Sequence, residues 1–351
     1  MTPLAPTAEA QLNRELERAL ADIGRRMTGR GPAFDALGEA MRRAIRGGKR
    51  WRPALVVSIF TALGGDADKT PALYPVAAAY ELLHTALVAH DDVIDRDTVR
   101  RGIPNISGEF RARAADHGAD AAGSQLLGDT AGILAGDLLL HAAQRMIALA
   151  DADEQTRRRL LDQLDDAVVV SAAGELADVE HAILDGAPDA ILAATHDKTA
   201  VYSFCAPLRA GATLAGSDDR TDAVLRRFGA RLGLAYQLVD DLIGAFGTDA
   251  QAGKPEGADL REAKKTPLIA FARDTGSWTQ VQGALALAHT GPIALRRAQD
   301  ALEGSGARGR LQNMVRQSIG EARAIIDDAG LPPEASRMLH ELAQAVEGRI
   351  P

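Results

Sequence analysis

Residues His90 to Arg101 read HDDVIDRDTVRR and directly follow an apolar segment, Ala77 to Ala89. On an α-helix, which turns about 100° per residue, Asp91, Asp95 and Asp92 would lie at roughly 0°, 40° and 100° around the axis. Three carboxylates that share one helix face repel one another unless a cation neutralises them. The stretch therefore predicts either a solvated acidic helix end or a cation site, and other parts of the chain must decide.

The residue types around these aspartates suit a phosphate that is bound through a divalent cation. Oxygen ligands favour Mg²⁺, which proteins usually hold by one or two carboxylates together with substrate phosphates. Arg100 and Arg101 follow the aspartates, and guanidinium groups bind phosphate through paired hydrogen bonds. His84 would lie within about 20° of the Asp91 face, roughly 10 Å along the helix. A lone helical histidine is more often structural, so His84 alone decides nothing.

Composition limits the classes of protein that the chain can belong to. Its 351 residues suggest two domains or one large one, and a content of 46% hydrophobic but only 4% aromatic residues favours helices. The net charge of -8 argues against nucleic-acid binding. The single cysteine, Cys205, excludes an internal disulfide and fits a reducing compartment. Because we find no signal peptide and no apolar run of about 18 residues, we expect a cytoplasmic protein without a membrane span.

Apolar residues recur at helical spacing along most of the chain, and no strand-like alternation, repeat or linker is visible. The pattern predicts one all-α domain over residues 1–351, with a disordered tail at 1–7. The polar, Gly- and Pro-containing segment 247–263 is predicted to be a lid over an active site. The predicted helices are Ala8–Met27, Phe34–Ile45, Pro53–Leu63, one from Thr70 into the aspartates, Ala119–Ala150, Glu154–Ile183, Pro188–Ala215, Arg220–Phe246 and shorter ones from Thr266 to Ile350.

A second acidic pair, Asp240 and Asp241, lies near the end of a predicted long helix. Gln237 would lie about 60° from Asp240 on the neighbouring turn, where its amide could donate to the pair. Two acidic pairs on long apolar helices, accompanied by scattered basic residues, are difficult to explain as solvated surface. Carboxylates can hold Mg²⁺ and cationic groups can hold phosphate oxygens, so the set predicts a diphosphate site. The basic residues are Lys49, Arg52, Arg100, Arg101, Lys198, Lys254 and Lys264.

The chain resembles the trans-isoprenyl diphosphate synthases of the polyprenyl synthetase family along nearly its whole length. The matching motifs, in family order, are GGKRWRP from Gly47, ELLHTALVAHDDVIDRDTVRRG from Glu81, LAGDLLL from Leu134, KTA from Lys198, YQLVDDLIGAFG from Tyr236 and GKPEGADLREAKKT from Gly253. The resemblance implies an all-α bundle around a central cavity, usually a homodimer. It also implies that the two aspartate-rich motifs face each other across the cavity mouth.

The resemblance further implies which residues hold the substrates. An allylic diphosphate would be bound through Mg²⁺, about three ions of it, by Asp91, Asp95 and Asp240, with Asp92 and Asp241 in support. The implied phosphate ligands of the allylic substrate are Arg100, Lys198 and Lys254, and Thr199 and Gln237 would line the reacting region. Isopentenyl diphosphate would lie on Lys49, Arg52, His84 and Arg101. Arg50 and Lys264 are also expected to bind substrate.

The implied reaction joins isopentenyl diphosphate to dimethylallyl, geranyl or farnesyl diphosphate and gives an all-trans product that is five carbons longer. Metal ions and cationic side chains would stabilise the diphosphate as the C–O bond ionises. The isopentenyl double bond would attack the allylic cation, and loss of a proton would complete the step. No enzyme nucleophile is required.

Three positions depart from the family pattern. The second motif reads DDLIG, so Gly244 stands where a third aspartate is expected and one carboxylate is missing. Glu175 replaces a usual glutamine, and Ala263 replaces a usual glycine. We predict that activity survives. Gly244 keeps open the alternative of a non-catalytic regulatory subunit in a heteromeric synthase.

A class I terpene cyclase is a further alternative, since cyclases share the fold and the first aspartate motif. They do not need the second diphosphate site that Lys49, Arg52 and Arg101 would form, which counts against this alternative. Cyclases also carry an Asn/Ser/Glu metal motif that DDLIG does not resemble.

Product length depends on the residues below the first motif. By resemblance Ala86 and Leu87 help to set the cavity depth, and the small Ala86 disfavours a strict C15 stop. Helical geometry places Leu83 and Tyr80 further down, with Tyr80 roughly 16 Å from Asp91. Tyr80 is thus a candidate floor, although core packing explains it equally well. We predict a C20 product, geranylgeranyl diphosphate, with C15 farnesyl diphosphate and C25 or longer products as alternatives.

Overall fold

The computed structural model describes residues 4–46, 48–184, 186–252 and 255–351. Nearly all regular structure in these ranges is helical, which confirms the predicted all-α class. The elements are α1 (Pro6–Met27), α2 (Pro32–Arg46), α3 (Trp51–Ala62), α4 (Leu73–Ile94), β1 (Val99–Arg100), β2 (Ile103–Pro104), α5 (Ile106–Asp116), α6 (Ala121–Ala148), α7 (Glu154–Leu184), α8 (Pro188–Ala200), a π-helical segment (Val201–Cys205), α9 (Ala206–Leu214), α10 (Asp219–Phe246), α11 (Asp249–Ala252), α12 (Ala258–Arg261), α13 (Pro267–Arg273), α14 (Trp278–Leu285), a 3₁₀ turn (Ala288–Thr290), α15 (Pro292–Gly304), α16 (Ala307–Asp327) and α17 (Pro333–Glu347).

The chain divides into two compact units. In the described ranges the N-terminal unit comprises residues 4–164 and 210–216, and the C-terminal unit comprises residues 165–209 and 217–351. The first aspartate motif belongs to the N-terminal unit and the second to the C-terminal unit. The single domain over 1–351 stays a prediction.

Helix α4 is the buried centre of the N-terminal unit and packs against α1, α3 and α6. Its residues from Val76 to Tyr80 are fully buried. Helix α6 comes very close to the end of α4 because glycines face it. A Cβ on Gly136 would lie only 2.8 Å from Cε1 of His90, and one on Gly132 would collide with Val93. The neighbouring helix therefore fixes the turn of α4 that carries the aspartates.

The chain reverses after α4 through a short hairpin in which Val99 pairs with Pro104 and Arg100 with Ile103. The two turn residues, Arg101 and Gly102, have φ of 55° and 77°, as a tight hairpin with two left-handed residues requires. The sequence predicts only a break here, because two residues per strand are too few to show alternation. The hairpin orients Arg100 back towards the end of α4.

The start of α4 and the presence of α5 differ from the prediction in this unit. Helix α4 begins at Leu73, after a turn in which the Leu73 amide donates to the Thr70 carbonyl, so the Thr70-Pro71 start signal lies before the helix. Helix α5 was not predicted. It begins after Asn105, whose side-chain oxygen accepts from the Gly108 amide at 2.8 Å. The small and charged residues of α5 obscure its helical apolar spacing.

Helix α10 is the centre of the C-terminal unit and packs against α8, α12, α16 and α17. Glycines bring the end of α8 close to α7 on one side and to α10 on the other. A Cβ on Gly174 of α7 would lie 2.8 Å from Cα of Lys198, and one on Gly233 of α10 would lie 2.5 Å from Cβ of Ala200. The backbone of Lys198 is therefore held between α7 and α10.

The predicted helix Pro188–Ala215 is interrupted by the π-helical segment, which follows directly after Ala200. Such wide turns are frequent next to functional sites. Cys205 ends the segment, and burial raises the pKa of its thiol to about 12. This thiol is protonated near neutral pH and is no nucleophile.

Helix α6 is, in the described ranges, the one helix that is long and apolar enough to cross a membrane by length and composition alone. Its most apolar window is 44% buried. Core helices of proteins that contact no membrane pass the same test, so the finding is weak evidence for a span.

The predicted tail and lid fall partly outside the described residues. Residues 1–3 are not described, and α1 already begins at Pro6, two residues before its predicted start. Within 247–263 the short helices α11 and α12 are described, whereas Gly253 and Lys254 are not. The lid stays a prediction.

The close approach of α7 and α8 leads to a stability prediction. Gly174→Ala should lower the free energy of unfolding by about 1–3 kcal/mol, because its methyl group would overlap the Lys198 backbone. Gly320→Ala is the control, since Gly320 lies within α16 with no atom near its Cβ position and the change should stabilise by about 0.5–1 kcal/mol. Urea denaturation followed by circular dichroism measures both. Equal stability of the two variants would contradict the close approach.

Candidate active site

The first aspartate motif is organised by Arg100 of the hairpin. Arg100 donates from Nε and Nη2 to Oδ1 of Asp92, at 2.9 and 2.6 Å, and from Nη2 to Oδ2 of Asp91, at 3.3 Å. Asp92 is only 4% exposed. Burial raises the pKa of Asp92, while Arg100 opposes this shift by its charge and hydrogen bond. Asp95 follows as the exposed cap of α4. One guanidinium thus already contacts two of the three predicted carboxylates.

A basic cluster lies beside this motif, in the same unit. Arg52 is buried and its guanidinium stacks on the Trp51 ring at 4.5 Å. The guanidinium of Arg101 lies against Gly48, whose Cβ position is 3.0 Å from Arg101 Nη2. Arg50 donates to Oδ1 of Asn13. The cluster stands at the start of α3, where free backbone amides and the helix dipole also favour an anion.

Lys49 is exposed at the same turn. Gly47, the first residue of the same motif, lies outside the described residues. Arg50 has a described side-chain partner, Asn13, which would compete with a phosphate for its guanidinium.

His84 lies among these arginines. Burial lowers its pKa well below the usual value, and Arg52, Arg100 and Arg101 lower it further. The imidazole is therefore neutral near neutral pH and can hydrogen-bond to a phosphate without adding charge. Thr85, the next residue, instead donates to the Glu81 carbonyl within α4.

Glu81 was missed by the sequence analysis. It is 4% exposed, burial raises its pKa, and Arg52, Arg50 and Arg101 oppose the shift. The signal was available, because Glu81 is the one acidic residue in the apolar run before the aspartates. The negative charge of a carboxylate here would offset part of the positive charge of these arginines.

The second aspartate motif lies at the end of α10. Asp241 is 7% exposed, and its Oδ1 accepts from Gln237 Nε2 at 3.3 Å, the donor that helical geometry predicted. Its buried Oδ2 has no hydrogen-bond partner among the described residues. Burial raises the pKa of Asp241 well above its usual value, repulsion from Asp259 adds to this shift, and Gln237 opposes it. A buried acceptor without a donor suits a cation.

Asp240 is held by a residue from the other end of the sequence. Arg349, just beyond α17, donates to Oδ1 of Asp240 and stacks on the Tyr236 ring at 4.4 Å. No sequence signal points to Arg349, because 109 residues separate it from Asp240. The second motif, like the first, thus has a guanidinium as its resident cation.

Lys198 lies between two acidic side chains of α7. Its Nζ is 3.1 Å from Oε1 of Glu175 and 3.0 Å from Oδ2 of Asp178. Glu175, which departs from the family pattern, therefore contacts a predicted phosphate ligand directly. Thr199 follows Lys198 and is half-buried.

Two predicted phosphate ligands belong to segment 247–266. Lys254 lies outside the described residues. Lys264 is half-buried, with its Nζ 3.6 Å from Oε2 of Glu262.

The carboxylates can be compared with the needs of Mg²⁺. In the described part of the chain no three His, Cys, Asp or Glu side chains are grouped so that they could hold a metal by themselves. Both motifs nevertheless offer oxygen ligands, and Oδ2 of Asp241 is buried without a donor. The residues fit a Mg²⁺ ion that is held jointly by one or two carboxylates and a substrate phosphate.

The four predicted chain-length residues lie on α4. Tyr80, Leu83 and Ala86 are fully buried, and Leu87 is half-buried.

A groove of about 980 Å³ lined by α8, α10 and α16 contains none of the predicted site residues.

Comparisons with known proteins identify relatives of this chain. The family model for polyprenyl synthetase matches residues 34–301. The chain is 34% identical over 297 residues to the geranylgeranyl diphosphate synthase of Mycobacterium tuberculosis, covering 82% of this chain and 77% of that protein. It is 30% identical over 309 residues to the (2E,6E)-farnesyl diphosphate synthase of the same organism, covering 86% and 80%.

A solved structure extends this likeness to the fold. It is the geranylgeranyl pyrophosphate synthase from Corynebacterium glutamicum, complexed with isoprenyl diphosphate and magnesium. The TM-score is 0.87 at 26% identity, over 97% of this chain and 98% of that one.

The environment of His84 leads to a prediction about pH. Because the folded pKa lies below the unfolded value of 6.5, the stabilisation from a neutral His84 is present above pH 6.5 and is lost as the pH falls below it. The loss approaches about 1.4 kcal/mol per pH unit for one proton. His84→Gln should reduce this slope in metal-free urea titrations between about pH 5 and 7. The exposed His289→Gln serves as the control. An unchanged slope in His84→Gln would contradict this account of its environment.

Proposed function

Because the chain belongs to the polyprenyl synthetase family, we propose that it condenses isopentenyl diphosphate with an allylic diphosphate to give geranylgeranyl diphosphate. Family membership itself makes the chain a trans-prenyl diphosphate synthase, a prenyltransferase that acts on isoprenyl diphosphates. The observation that carries the proposal is the cluster of Arg52, Arg100 and Arg101 around the neutral His84, beside Asp91 and Asp92. Groups that can bind a phosphate and groups that can bind a metal ion therefore lie next to each other within the N-terminal unit.

The side chains have distinct tasks in this proposal. Arg52 and Arg101 bind the diphosphate of the isopentenyl substrate, and His84 hydrogen-bonds to it as a neutral donor. Asp91 in the N-terminal unit and Asp240 in the C-terminal unit would each hold Mg²⁺, and the bound ion would supply positive charge to the diphosphate leaving group. Lys198 adds a further cation to that diphosphate.

Arg100 changes partners in this proposal. In the structure its guanidinium is engaged by Asp91 and Asp92. A substrate phosphate would offer the guanidinium another acceptor, so Arg100 could turn to the phosphate and release the carboxylate oxygens to Mg²⁺. The carboxylate contact fixes the orientation of the guanidinium before substrate arrives, which reduces the entropy cost of binding.

Product length is the finer part of the proposal. The C20 assignment is supported by the small, buried Ala86 and by the similarity to a geranylgeranyl diphosphate synthase. A farnesyl diphosphate synthase of the same organism is almost as similar, so identity alone does not decide between C15 and C20. The buried Tyr80, one turn below Leu83 on the same helix, is the proposed floor.

Incubation of the purified chain with Mg²⁺, isopentenyl diphosphate and one allylic starter at a time tests the activity and the product length together. Mass spectrometry of intact products should show a ladder that ends at C20 from each of the dimethylallyl, geranyl and farnesyl starters. Asp91→Ala should lower the rate by a factor of about 100 or more, because it removes a metal ligand. An absence of elongation from every starter would contradict the proposal and favour a regulatory subunit.

Tyr80→Ala separates the length argument from the activity. If Tyr80 is the floor, its removal should extend the ladder by at least one five-carbon unit. Leu73→Ala is the matched control, because Leu73 is equally buried at the far end of α4. The same C20 end point in Tyr80→Ala would remove Tyr80 from the argument and leave the synthase activity untouched.

We also propose that the enzyme is a homodimer, and exposed apolar side chains support this proposal. On α6, Leu126, Ile133 and Leu134 are 69%, 47% and 44% exposed along one helix face. On α7, Val169 and Leu176 are 67% and 71% exposed, seven residues apart. Apolar stripes of this kind usually mark a protein interface.

The cytoplasmic location remains part of the proposal and is supported by the single cysteine.

Light scattering after size exclusion tests the dimer. The wild type should have about twice the chain mass of 37.0 kDa. A Leu126→Arg, Ile133→Arg double variant should shift to the monomer mass, because buried charge would oppose association. Ile293→Arg, which changes an exposed residue of α15, is the control and should remain dimeric. A wild type of monomer mass would contradict the proposal.

A further inference from the structure

The two acidic motifs of this chain differ at one helix position. In the first, Asp95 follows four residues after Asp91, whereas in the second Gly244 follows four residues after Asp240. Residues four apart lie on the same face of a helix. The second motif therefore has no side chain at the position where the first motif has its third carboxylate.

Asp259 occupies the space that a side chain at position 244 would fill. A Cβ built on Gly244 would lie 2.5 Å from Cγ of Asp259 and closer still to its Oδ2. Real Cβ atoms do not approach other atoms within 3.0 Å. An aspartate at 244 and the present position of Asp259 are therefore mutually exclusive, and the glycine makes room for this carboxylate.

Asp259 reaches this position from a different element. It lies in the first turn of α12, which begins after Gly257, a residue with φ of 65°. Helix α12 packs against α10 within the C-terminal unit. The left-handed conformation at Gly257 turns the chain so that the next residues face α10, and a residue with a side chain would be strained there.

A second observation indicates that the surroundings of Asp259 are suited to a cation. Asp241 is 7% exposed, and its Oδ2 has no hydrogen-bond partner among the described residues. Asp259 lies near enough to Asp241 for the two carboxylates to repel each other. A buried carboxylate oxygen without a donor, next to another carboxylate, is stable only with a cation or a proton nearby.

We propose that Asp259 takes the place of the missing third aspartate, so that Asp240, Asp241 and Asp259 together form the divalent-cation site of the second motif. The site is assembled from α10 and α12 instead of from one helix. The inference rests on the proposed function, since a diphosphate completes the coordination of the cation. It also explains why Gly244 does not leave the motif short of a carboxylate.

The test measures Mn²⁺ binding, with Mn²⁺ as the probe for Mg²⁺, by electron paramagnetic resonance in the presence of inorganic diphosphate. Asp259→Ala should weaken this binding by about tenfold or more, and the isosteric Asp259→Asn should do the same. Glu262→Ala, which removes an exposed acid three residues away, should bind as the wild type does. Circular dichroism establishes that each variant is folded.

A relocation of the carboxylate makes the test sharper. Gly244→Asp alone should displace the Asp259 side chain, because a Cβ at position 244 would overlap its carboxylate. Gly244→Asp combined with Asp259→Ala should be as stable as the wild type and should recover Mn²⁺ affinity to within about threefold. Affinity in Asp259→Asn equal to wild type, or no recovery in the folded double variant, would overturn the inference.

The outcomes also separate this inference from the proposed function. If the wild type elongates isopentenyl diphosphate while Asp259→Asn binds Mn²⁺ normally, the synthase stands and the role of Asp259 is wrong. If the wild type does not elongate any starter but Asp259→Asn loses Mn²⁺ affinity, the cation site stands and the synthase activity is wrong.

Discussion

Burial of carboxylates at the ends of two long helices is the constraint on which both aspartate motifs depend. Asp92 and Asp241 are 4% and 7% exposed, and burial raises the pKa of each. An unneutralised buried carboxylate costs several kcal/mol, so a fold that keeps such groups must also supply cations. The surrounding structure can be understood as the means by which each unit does this.

The cations come from segments far apart in the sequence. A hairpin returns Arg100 to Asp91 and Asp92, and the end of the chain brings Arg349 to Asp240. These guanidinium groups pair with Asp91, Asp92 and Asp240, whereas Oδ2 of the buried Asp241 has no hydrogen-bond partner among the described residues. A diphosphate can draw these cations towards itself and leave the oxygens to Mg²⁺.

Much of the fold could be predicted from the sequence, because long helices with apolar stripes carry a strong periodic signal. The ends of α1, α7 and α10 agree with the prediction to within two residues. Helix α5 and the hairpin could not be predicted, since short elements show too little periodicity. Helical geometry predicted a Gln237 amide beside the second acidic pair, and in the structure this amide donates to Asp241.

The candidate site was predictable only where its residues are local in sequence. Both aspartate motifs and the basic turn were found in this way. Glu81 could have been found as a lone acid in an apolar run, but Arg349 and Asp259 could not. Their positions depend on tertiary packing between elements that no spacing rule connects. From the sequence alone, Gly244 is a missing carboxylate. In the structure its position adjoins Asp259, which lies 15 residues further along the chain.

The central claim is that the carboxylates bind a divalent cation jointly with a diphosphate and not by themselves. Isothermal titration of the metal-free protein with Mg²⁺, in the presence and absence of inorganic diphosphate, tests it most directly. The account predicts weak binding without diphosphate and an affinity at least about tenfold higher with it, because the phosphate supplies ligands and displaces the resident guanidinium groups. Equal affinity under both conditions would contradict the account.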